Sequence, residues 1–346
     1  MESSLTDYRA EFQERLLELL WRQWTALGVA GQGKRWTRTP LDPEALLLIS
    51  CTVARLDPRL FDAMLDWLRI NGRYVNIHRL QRMLTALPFA GAEVFAVVAG
   101  AISTTNQAAK WERSSTRPTD RKAQAREPLF LMADGQPLPV VREPDPQFLA
   151  HGFLRDQYQP RHVATLFRPE ITATLLLRLR AFLGVNARCE ILAYLLLNRR
   201  GSPRAVAQAC GYYPATVTKA MAEMGDSGYV ASHVEGRHRH YTLIQEAWRP
   251  LLMGKEPAPC WISWPTVFCA LEQVWIFLRA PERSGQSPLA QASALRRVLK
   301  HDALAGLARS GLPVAFGGAQ QHAGRSLLPF FVGQLREVLD GAHRLG

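Results

Sequence analysis

The stretch "GYYPATVTKAMAEMGDSGYVASHVEGRHRHYTL", from Gly211 to Leu243, changes character twice. It begins with a glycine-tyrosine turn, continues as a short amphipathic helix and reaches Gly228, after which apolar and polar residues alternate around a basic loop. This order predicts a helix followed by a two-stranded hairpin that turns near Glu235-Gly236. The buried face of the helix is predicted to consist of Val217, Ala220, Met221 and Met224.

Two more helices are predicted directly upstream. "NARCEILAYLLLNRRG" starts at Asn186, which suits a helix cap, and ends at Gly201, which suits a stop; "SPRAVAQACG" has Ser202 as cap and Pro203 at its first position. Outside its buried face, the third helix has small, hydroxyl-bearing and cationic residues, which suit base edges and phosphates in a major groove. The residues after the hairpin turn suit a phosphate or the minor groove. The candidate DNA-binding residues are Arg204, Tyr212, Tyr213, Ala215, Thr216, Thr218, Lys219, Arg237, His238, Arg239 and His240.

This segment resembles the winged helix-turn-helix of MarR-type and ArsR-type bacterial transcription regulators. In those proteins a recognition helix of the pattern "tV(T/S)+xl..L...G.v" leads into a wing containing "gR.r.Y.l". The matching positions here are Thr216, Val217, Thr218, Lys219, Gly228, Tyr229, Val230, Gly236, Arg237, Arg239, Tyr241 and Leu243. The resemblance covers residues 186–243 and implies a DNA-reading helix at 214–224 and a basic wing at 229–243, in a transcriptional regulator. A repressor is predicted, because no part of the sequence resembles an activation surface. Residues 1–185 have no counterpart in the family, so its ligand pocket and dimer helices are not carried over.

Charge and hydropathy limit the class of protein. The 346 residues include 42 lysines and arginines against 30 acids, a formal net charge of +12. This balance favours a nucleic-acid partner, with an anionic membrane or a generally basic proteome as the alternatives. The N-terminal "MESSLTDYRAEFQERL" lacks the apolar core of a signal peptide, and no stretch approaches the roughly 18 apolar residues of a membrane span. We therefore expect a cytoplasmic protein that does not bind a membrane.

The whole chain is predicted to be a mainly α, multidomain helical protein with the winged helix-turn-helix at its centre. A long helix is expected from Tyr8 to Leu27, and three more with starts at Asp42, Asp57 and Asn76. These three, between residues 43 and 87, follow the element order of a second, degenerate helix-turn-helix. The predicted domains are 1–103 (N-terminal helical domain), 104–128 (mobile linker or ordered basic loop), 129–168 (hairpin turning at Asp134-Gly135 and a connecting segment), 169–248 (winged helix-turn-helix) and 249–346 (C-terminal helical domain).

No feature of the sequence points to catalysis, a metal or a cofactor. The nucleophile, zinc-protease and phosphate-loop motifs are absent, and the glycine-rich residues 311–326, with His322 and Arg325, are interpreted as a connection. His233, His238 and His240 are interpreted as solvated, because the charge of Arg239 opposes a bound cation. The five cysteines contain no Cys-x-x-Cys pair, so each is expected to be a small buried residue.

Two apolar stripes, Phe12 to Trp24 and Val267 to Leu278, suit either a core or a dimer interface. Together with the two-fold symmetry usual for such regulators, they predict a homodimer on duplex DNA. The predicted function is transcriptional regulation. The alternatives are an interaction or antitoxin-like partner subunit that uses the winged helix for protein contact or non-specific DNA binding, and a DNA-processing enzyme without a recognisable motif. The sequence leaves the operator and any small-molecule effector open.

Overall fold

The computed structural model describes residues 5–31, 36–103, 108–112, 114, 126–132, 134–252, 259–280, 286–298, 306–314 and 326–346. Within these ranges the protein is mainly helical, as the sequence predicts. None of the helices in the described ranges is long and apolar enough to cross a membrane.

Five helices form the N-terminal part: α1 (Leu5–Leu27), α2 (Pro43–Val53), α3 (Pro58–Asn71), α4 (Ile77–Ala86) and α5 (Ala92–Ser103). The predicted starts are confirmed, because the side chains of Asp42, Asp57 and Asn76 each accept hydrogen bonds from first-turn backbone N–H groups. Helix α2 is the centre of the core: every residue in it except Thr52 is buried. A helix that is apolar around most of its circumference needs neighbours on all sides.

The segment between α5 and the central helices is only partly regular. It contains α6 (Ala108–Glu112), α7 (Pro146–Ala150) and two short parallel strands, β1 (Glu127–Pro128) and β2 (Phe153–Leu154). The predicted turn at Asp134-Gly135 is present, with the Met132 N–H donating to the Gln136 carbonyl at 2.8 Å. A mobile linker is wrong for the described part of 104–128, since Trp111 is fully buried beside Phe95 and β1 pairs with β2. The other residues of that range lie outside the described ones.

The next elements are α8 (Leu175–Leu183), α9 (Ala187–Asn198), β3 (Arg200–Gly201), α10 (Pro203–Cys210), α11 (Pro214–Asp226), β4 (Val230–Glu235) and β5 (His238–Leu243). The three strands form one antiparallel sheet in the order β3-β5-β4. Residues 175–243, which we call the central module, bury a hydrophobic cluster of their own. The predicted inner face of α11 is confirmed by the burial of Val217, Ala220, Met221 and Met224.

The predicted stop of α9 at Gly201 is wrong. The helix ends at Asn198, Arg199 takes a left-handed φ of 63°, and Gly201 lies in β3. A Cβ atom at Gly201 would lie 2.6 Å from Val206 Cγ2 and 2.8 Å from Tyr194 Cε1. Glycine is therefore needed here for close packing of the strand against α9 and α10.

The C-terminal helices pack against the N-terminal helices. They are α12 (Gln245–Leu252), α13 (Trp264–Arg279), α14 (Pro288–Val298) and α15 (Leu327–His343). Helix α13 packs against α1 and α2, and α15 packs against α1. The Phe12 to Trp24 and Val267 to Leu278 stripes lie in one shared hydrophobic cluster, so the boundaries predicted at 103 and 249 do not separate two cores.

The cysteine expectation is confirmed at four of five positions. Cys51, Cys189, Cys210 and Cys269 are buried, whereas Cys260 is exposed and the prediction is wrong there. Cys260 lies in an irregular segment before α13, where its backbone N–H donates to the Arg38 carbonyl at 2.9 Å. An irregular segment at the surface has no periodic inner face to bury the thiol.

Candidate nucleic-acid interface

The first two turns of α11 present the predicted reading residues to solvent. Tyr213, Ala215, Thr216, Thr218 and Lys219 are all exposed, while the opposite face of the helix is buried. Pro214 starts the helix, and Tyr213 provides no side-chain hydrogen bond to cap it. The N–H groups of Ala215 and Thr216 have no intrahelical acceptor, as in any first turn, so they are available to an anion at the positive end of the helix dipole.

The hairpin formed by β4 and β5 projects from the body of the protein. Residues 231–239 are exposed on both faces, and the tip is a two-residue turn in which Gly236 has a φ of 60°. Tyr241 is buried against α11, where its Cε1 lies 3.7 Å from the position of a Cβ on Gly225. Because side chains alternate along a strand, Arg239 lies on the same face as Tyr241.

The wing histidines occupy the other face. His238 is exposed at the tip, and His240 is half-buried, with its ring stacked on His233 at 5.7 Å between centroids. The His240 Nε2 atom lies 4.0 Å from a carboxylate oxygen of Glu235. His240 is thus less accessible than Arg237 and Arg239, which are both exposed.

The charges around this surface favour a polyanion. Two exposed acids of this region are paired with neighbours: Glu223 with Arg188, and Glu235 with Arg200 at 3.1 Å. Four exposed cations have no ion-pair partner among the described residues; they are Arg204, Lys219, Arg237 and Arg239. An exposed set of unpaired cations with paired acids attracts phosphate groups.

Tyr212 was predicted to be a DNA-binding residue, and this prediction is wrong. Its hydroxyl donates to Glu190 Oε2 at 2.9 Å and accepts from Asn76 Nδ2 at 2.8 Å. Burial, together with the charge of Glu190, raises the pKa of Tyr212 well above its usual range. The side chain of this turn residue points into the protein, so it is not available to a duplex.

Glu190, the acceptor of Tyr212, belongs to a cluster of five buried charged residues: Asp42, Glu44, Arg79, Arg180 and Glu190. Arg180 donates to Glu44 at 2.7 Å from both terminal nitrogens, and its Nε donates to Glu190 at 2.9 Å. Arg79 donates to Asp42 at 2.8 Å and to Glu44 at 2.6 Å. Burial alone would lower the pKa of each arginine, but the adjacent carboxylates outweigh it and hold both values well above the usual range.

This charge cluster connects the N-terminal helices to the central module. Arg79 of α4 also donates from Nε to the Cys210 carbonyl at 2.6 Å, directly before the turn into α11. Removing either arginine would leave its carboxylate partners buried without that counter-charge, which typically costs about 3–5 kcal/mol. The cluster therefore fixes the orientation of the turn at 211–213 relative to α4.

Helix α4 is packed against this turn, which argues against the predicted second helix-turn-helix at 43–87. The position of a Cβ on Gly211 lies 3.2 Å from Met83 Cγ, and the Arg82 guanidinium lies 4.3 Å from the centre of the Tyr213 ring. A reading helix needs its N-terminal face free, whereas Arg79 at the start of α4 is buried. No local pattern in the sequence signals the contact of Arg82 with Tyr213, which is 131 positions away.

Comparison of the chain with protein-family models, curated proteins and solved structures finds no match. The described residues also contain no group of three or more His, Cys, Asp or Glu that could hold a metal ion. His322 and Arg325 lie outside the described residues.

Proposed function

We propose that residues 186–243 form a winged helix-turn-helix that binds duplex DNA, and that the protein regulates transcription, as a repressor. The order helix, short strand, helix, helix, hairpin supports this proposal, since it is the element order of that fold. The main observation is the exposed first half of α11, with Thr216, Thr218 and Lys219, beside a projecting hairpin that carries Arg237 and Arg239.

The two parts of the surface have different roles in the proposal. A helix fits into the major groove, where small and hydroxyl-bearing side chains allow close approach and Thr218 and Lys219 meet base edges. The arginines of the hairpin bind the phosphate backbone or the minor groove, which adds affinity for every sequence alike. The free first-turn N–H groups of α11 add a further phosphate contact.

The experiment begins with selection of bound duplexes from a random pool, using the full chain. Each variant is then titrated against the selected site and a scrambled duplex. The double variant Thr218→Ala, Lys219→Ala is expected to reduce the preference for the selected site, because each base contact contributes about 1–3 kcal/mol of discrimination. The variant Arg237→Ala, Arg239→Ala is expected to lower both affinities together.

Arg296→Ala, Arg297→Ala is the matched control. It removes the same two positive charges from an exposed part of α14, away from the central module. Its affinities should stay close to those of the unmodified protein. If the α11 variant keeps the full specificity ratio, this helix does not read the sequence, and if no motif is enriched, the regulatory proposal fails.

A second candidate is protein contact through the same surface, as in a partner subunit of a defence or toxin-antitoxin module. The observation that favours it is apolar exposure: Tyr213 is 57%, Tyr229 55% and Val234 66% exposed. Exposed large apolar residues are common at protein interfaces. Duplex binding that is absent, or independent of salt, would favour this candidate over DNA binding.

We also propose that the protein is a homodimer, on the basis of symmetry and not of the apolar stripes. Both apolar stripes that predicted it are buried within the chain, so neither is available to a second copy. The remaining argument is the usual two-fold symmetry of such regulators, with half-sites about 34 Å apart. A palindromic selected site, and a dimer mass by light scattering with DNA, would support it; a monomer with and without DNA would contradict it.

A further inference from the structure

A surface cleft lies on the side of the protein formed by the start of α3 and the segment 130–161. Its volume is about 300 Å³, which is the lower end of the range for small-molecule sites. Phe130, Leu138 and Leu154 contribute apolar walls, and Arg142, Arg155 and Arg161 contribute three guanidinium groups. The cleft is built from residues that the DNA-binding proposal does not use.

Arg155 is the buried centre of the cleft. Its side chain is 4% exposed, and its guanidinium lies between the rings of Phe130 at 5.1 Å and Phe148 at 5.0 Å. Such cation–π contacts hold the planar group in place. The Nε atom donates to the Asp156 carbonyl at 2.8 Å. The orientation of the guanidinium is therefore fixed before any ligand arrives.

Arg155 is already paired on one side. Its Nη1 atom lies 2.8 Å from Asp62 Oδ1, which is an ion pair between two largely buried groups. This pair and the Nε hydrogen bond hold the Arg155 guanidinium as a fixed, positively charged part of the cleft wall.

The lining contains three guanidinium groups and two carboxylates, those of Asp62 and Asp156, so one positive charge is in excess. Asp156 already accepts from the backbone N–H groups of Val141 at 2.9 Å and Arg142 at 2.8 Å. Arg142 and Arg161 are exposed at the rim and have no ion-pair partner among the described residues. The Arg161 N–H donates to Asp66 at 3.0 Å, so the backbone of this rim residue is also anchored.

We propose that this cleft binds a small organic anion, whose carboxylate or phosphate group lies between Arg142, Arg155 and Arg161 and whose apolar body lies against Phe130, Leu138 and Leu154. Guanidinium groups bind carboxylate and phosphate oxygens in pairs, which gives both affinity and orientation. The apolar walls favour a ligand with a hydrophobic body over an inorganic ion. This proposal does not depend on DNA binding.

The experiment measures binding of four probes to the full chain by calorimetry and ligand-observed NMR: benzoate, phenyl phosphate, benzamide and inorganic phosphate. Benzamide has nearly the shape of benzoate without its charge, and inorganic phosphate has the charge without the apolar body. Benzoate or phenyl phosphate is expected to bind at least about tenfold more tightly than either of these. The comparison of benzoate with phenyl phosphate distinguishes a carboxylate from a phosphate ligand.

The test variant is Arg142→Ala, Arg161→Ala, because both side chains are exposed and their removal leaves the core intact. It is expected to weaken binding of the anionic probes at least about tenfold. The control is Arg168→Ala, an exposed arginine in the same region that pairs with Glu170 at 3.6 Å and does not line the cleft. Its binding should match that of the unmodified protein.

Three results would overturn the proposal. Benzamide binding as tightly as benzoate would show that the charge is not recognised. Equal binding by the double variant and the unmodified protein would place the anion elsewhere. The absence of binding by every probe up to about 10 mM would show that the cleft is not a site for such ligands.

Discussion

Glu272→Gln is expected to stabilise the protein at alkaline pH. Glu272 lies on α13 with no exposed surface, in contact with the centre of the core. Its carboxylate accepts from the Thr52 hydroxyl at 2.5 Å and from the Ala90 N–H at 2.8 Å. Burial raises the pKa of Glu272 to about 7, even though the two hydrogen bonds oppose the rise.

The magnitude follows from the difference between the pKa values of the folded and unfolded states. The pKa increases from 4.5 to about 7 on folding, and each unit corresponds to about 1.4 kcal/mol. Because the folded value is the higher one, the unfolded state loses its proton first. The contribution of Glu272 to stability is therefore most favourable below pH 4.5, falls as the pH rises towards 7, and is less favourable by roughly 3 kcal/mol above that range.

Glutamine removes this titration while keeping the shape of the side chain. Its carbonyl oxygen can accept from Ala90, and its amide can donate to the Thr52 oxygen. At pH 5 the variant should differ from the unmodified protein by about 1 kcal/mol or less, and at pH 8.5 it should be more stable by about 2–4 kcal/mol.

Urea unfolding at the two pH values, followed by tryptophan fluorescence, measures both free energies of unfolding. If two transitions are resolved, the transition of the main core is the one to compare. Glu337→Gln, at an exposed position on α15, is the control and should change little at either pH. The reasoning is refuted if the difference between Glu272→Gln and the unmodified protein does not grow with pH, or if the variant is less stable at pH 8.5.

Three further predictions concern the central module. Tyr212→Phe should lower the free energy of unfolding by about 1–3 kcal/mol, because Glu190 loses its hydroxyl donor, and should leave DNA affinity nearly unchanged. Thermal melting and DNA titration measure the two effects. An unchanged melting temperature together with weaker DNA binding would make Tyr212 a DNA contact. Gly211→Ala should lower the free energy of unfolding by about 1–2 kcal/mol, because the φ of Gly211 is 72° and Met83 is close. The control is Gly333→Ala in α15, which has open space around it and should be neutral or stabilising. Equal shifts of the melting temperature in the two variants would contradict this prediction. DNA affinity should fall with salt at a log-log slope of about −0.9 per phosphate contact, and a flat profile would exclude backbone binding.

Local rules were sufficient for much of the secondary structure. Asp42, Asp57 and Ser202 cap helices as predicted, because capping depends on one side chain and the next three backbone N–H groups. The inner face of α11 and the turn at Gly236 follow from helical periodicity and from the backbone freedom of glycine. These features involve residues only a few positions apart, so the sequence determines them directly.

The same local rules also predict which residues of the candidate DNA-binding surface are exposed. The residues of α11 outside the periodic apolar face had to be exposed once that face was buried. The exposure of Arg237 follows from its place in the turn after Gly236, whereas Arg239 is exposed because the hairpin extends beyond the residues that bury Tyr241. Whether this surface binds DNA stays a prediction, since neither the fold nor the comparisons test it.

Tertiary structure decided which charged and apolar residues are buried, and against what. Arg180 contacts Glu44, 136 positions away, and Arg79 contacts the Cys210 carbonyl, 131 positions away; taken alone, each would be expected at the surface. The apolar stripe of α1 suits a dimer interface and a core equally, and only the return of α13 and α15 placed it in the core. Whether a residue is buried depends on partners that lie far away along the chain. No local pattern carries their positions, which is why Tyr212 was predicted at the DNA surface and lies in the charge cluster instead.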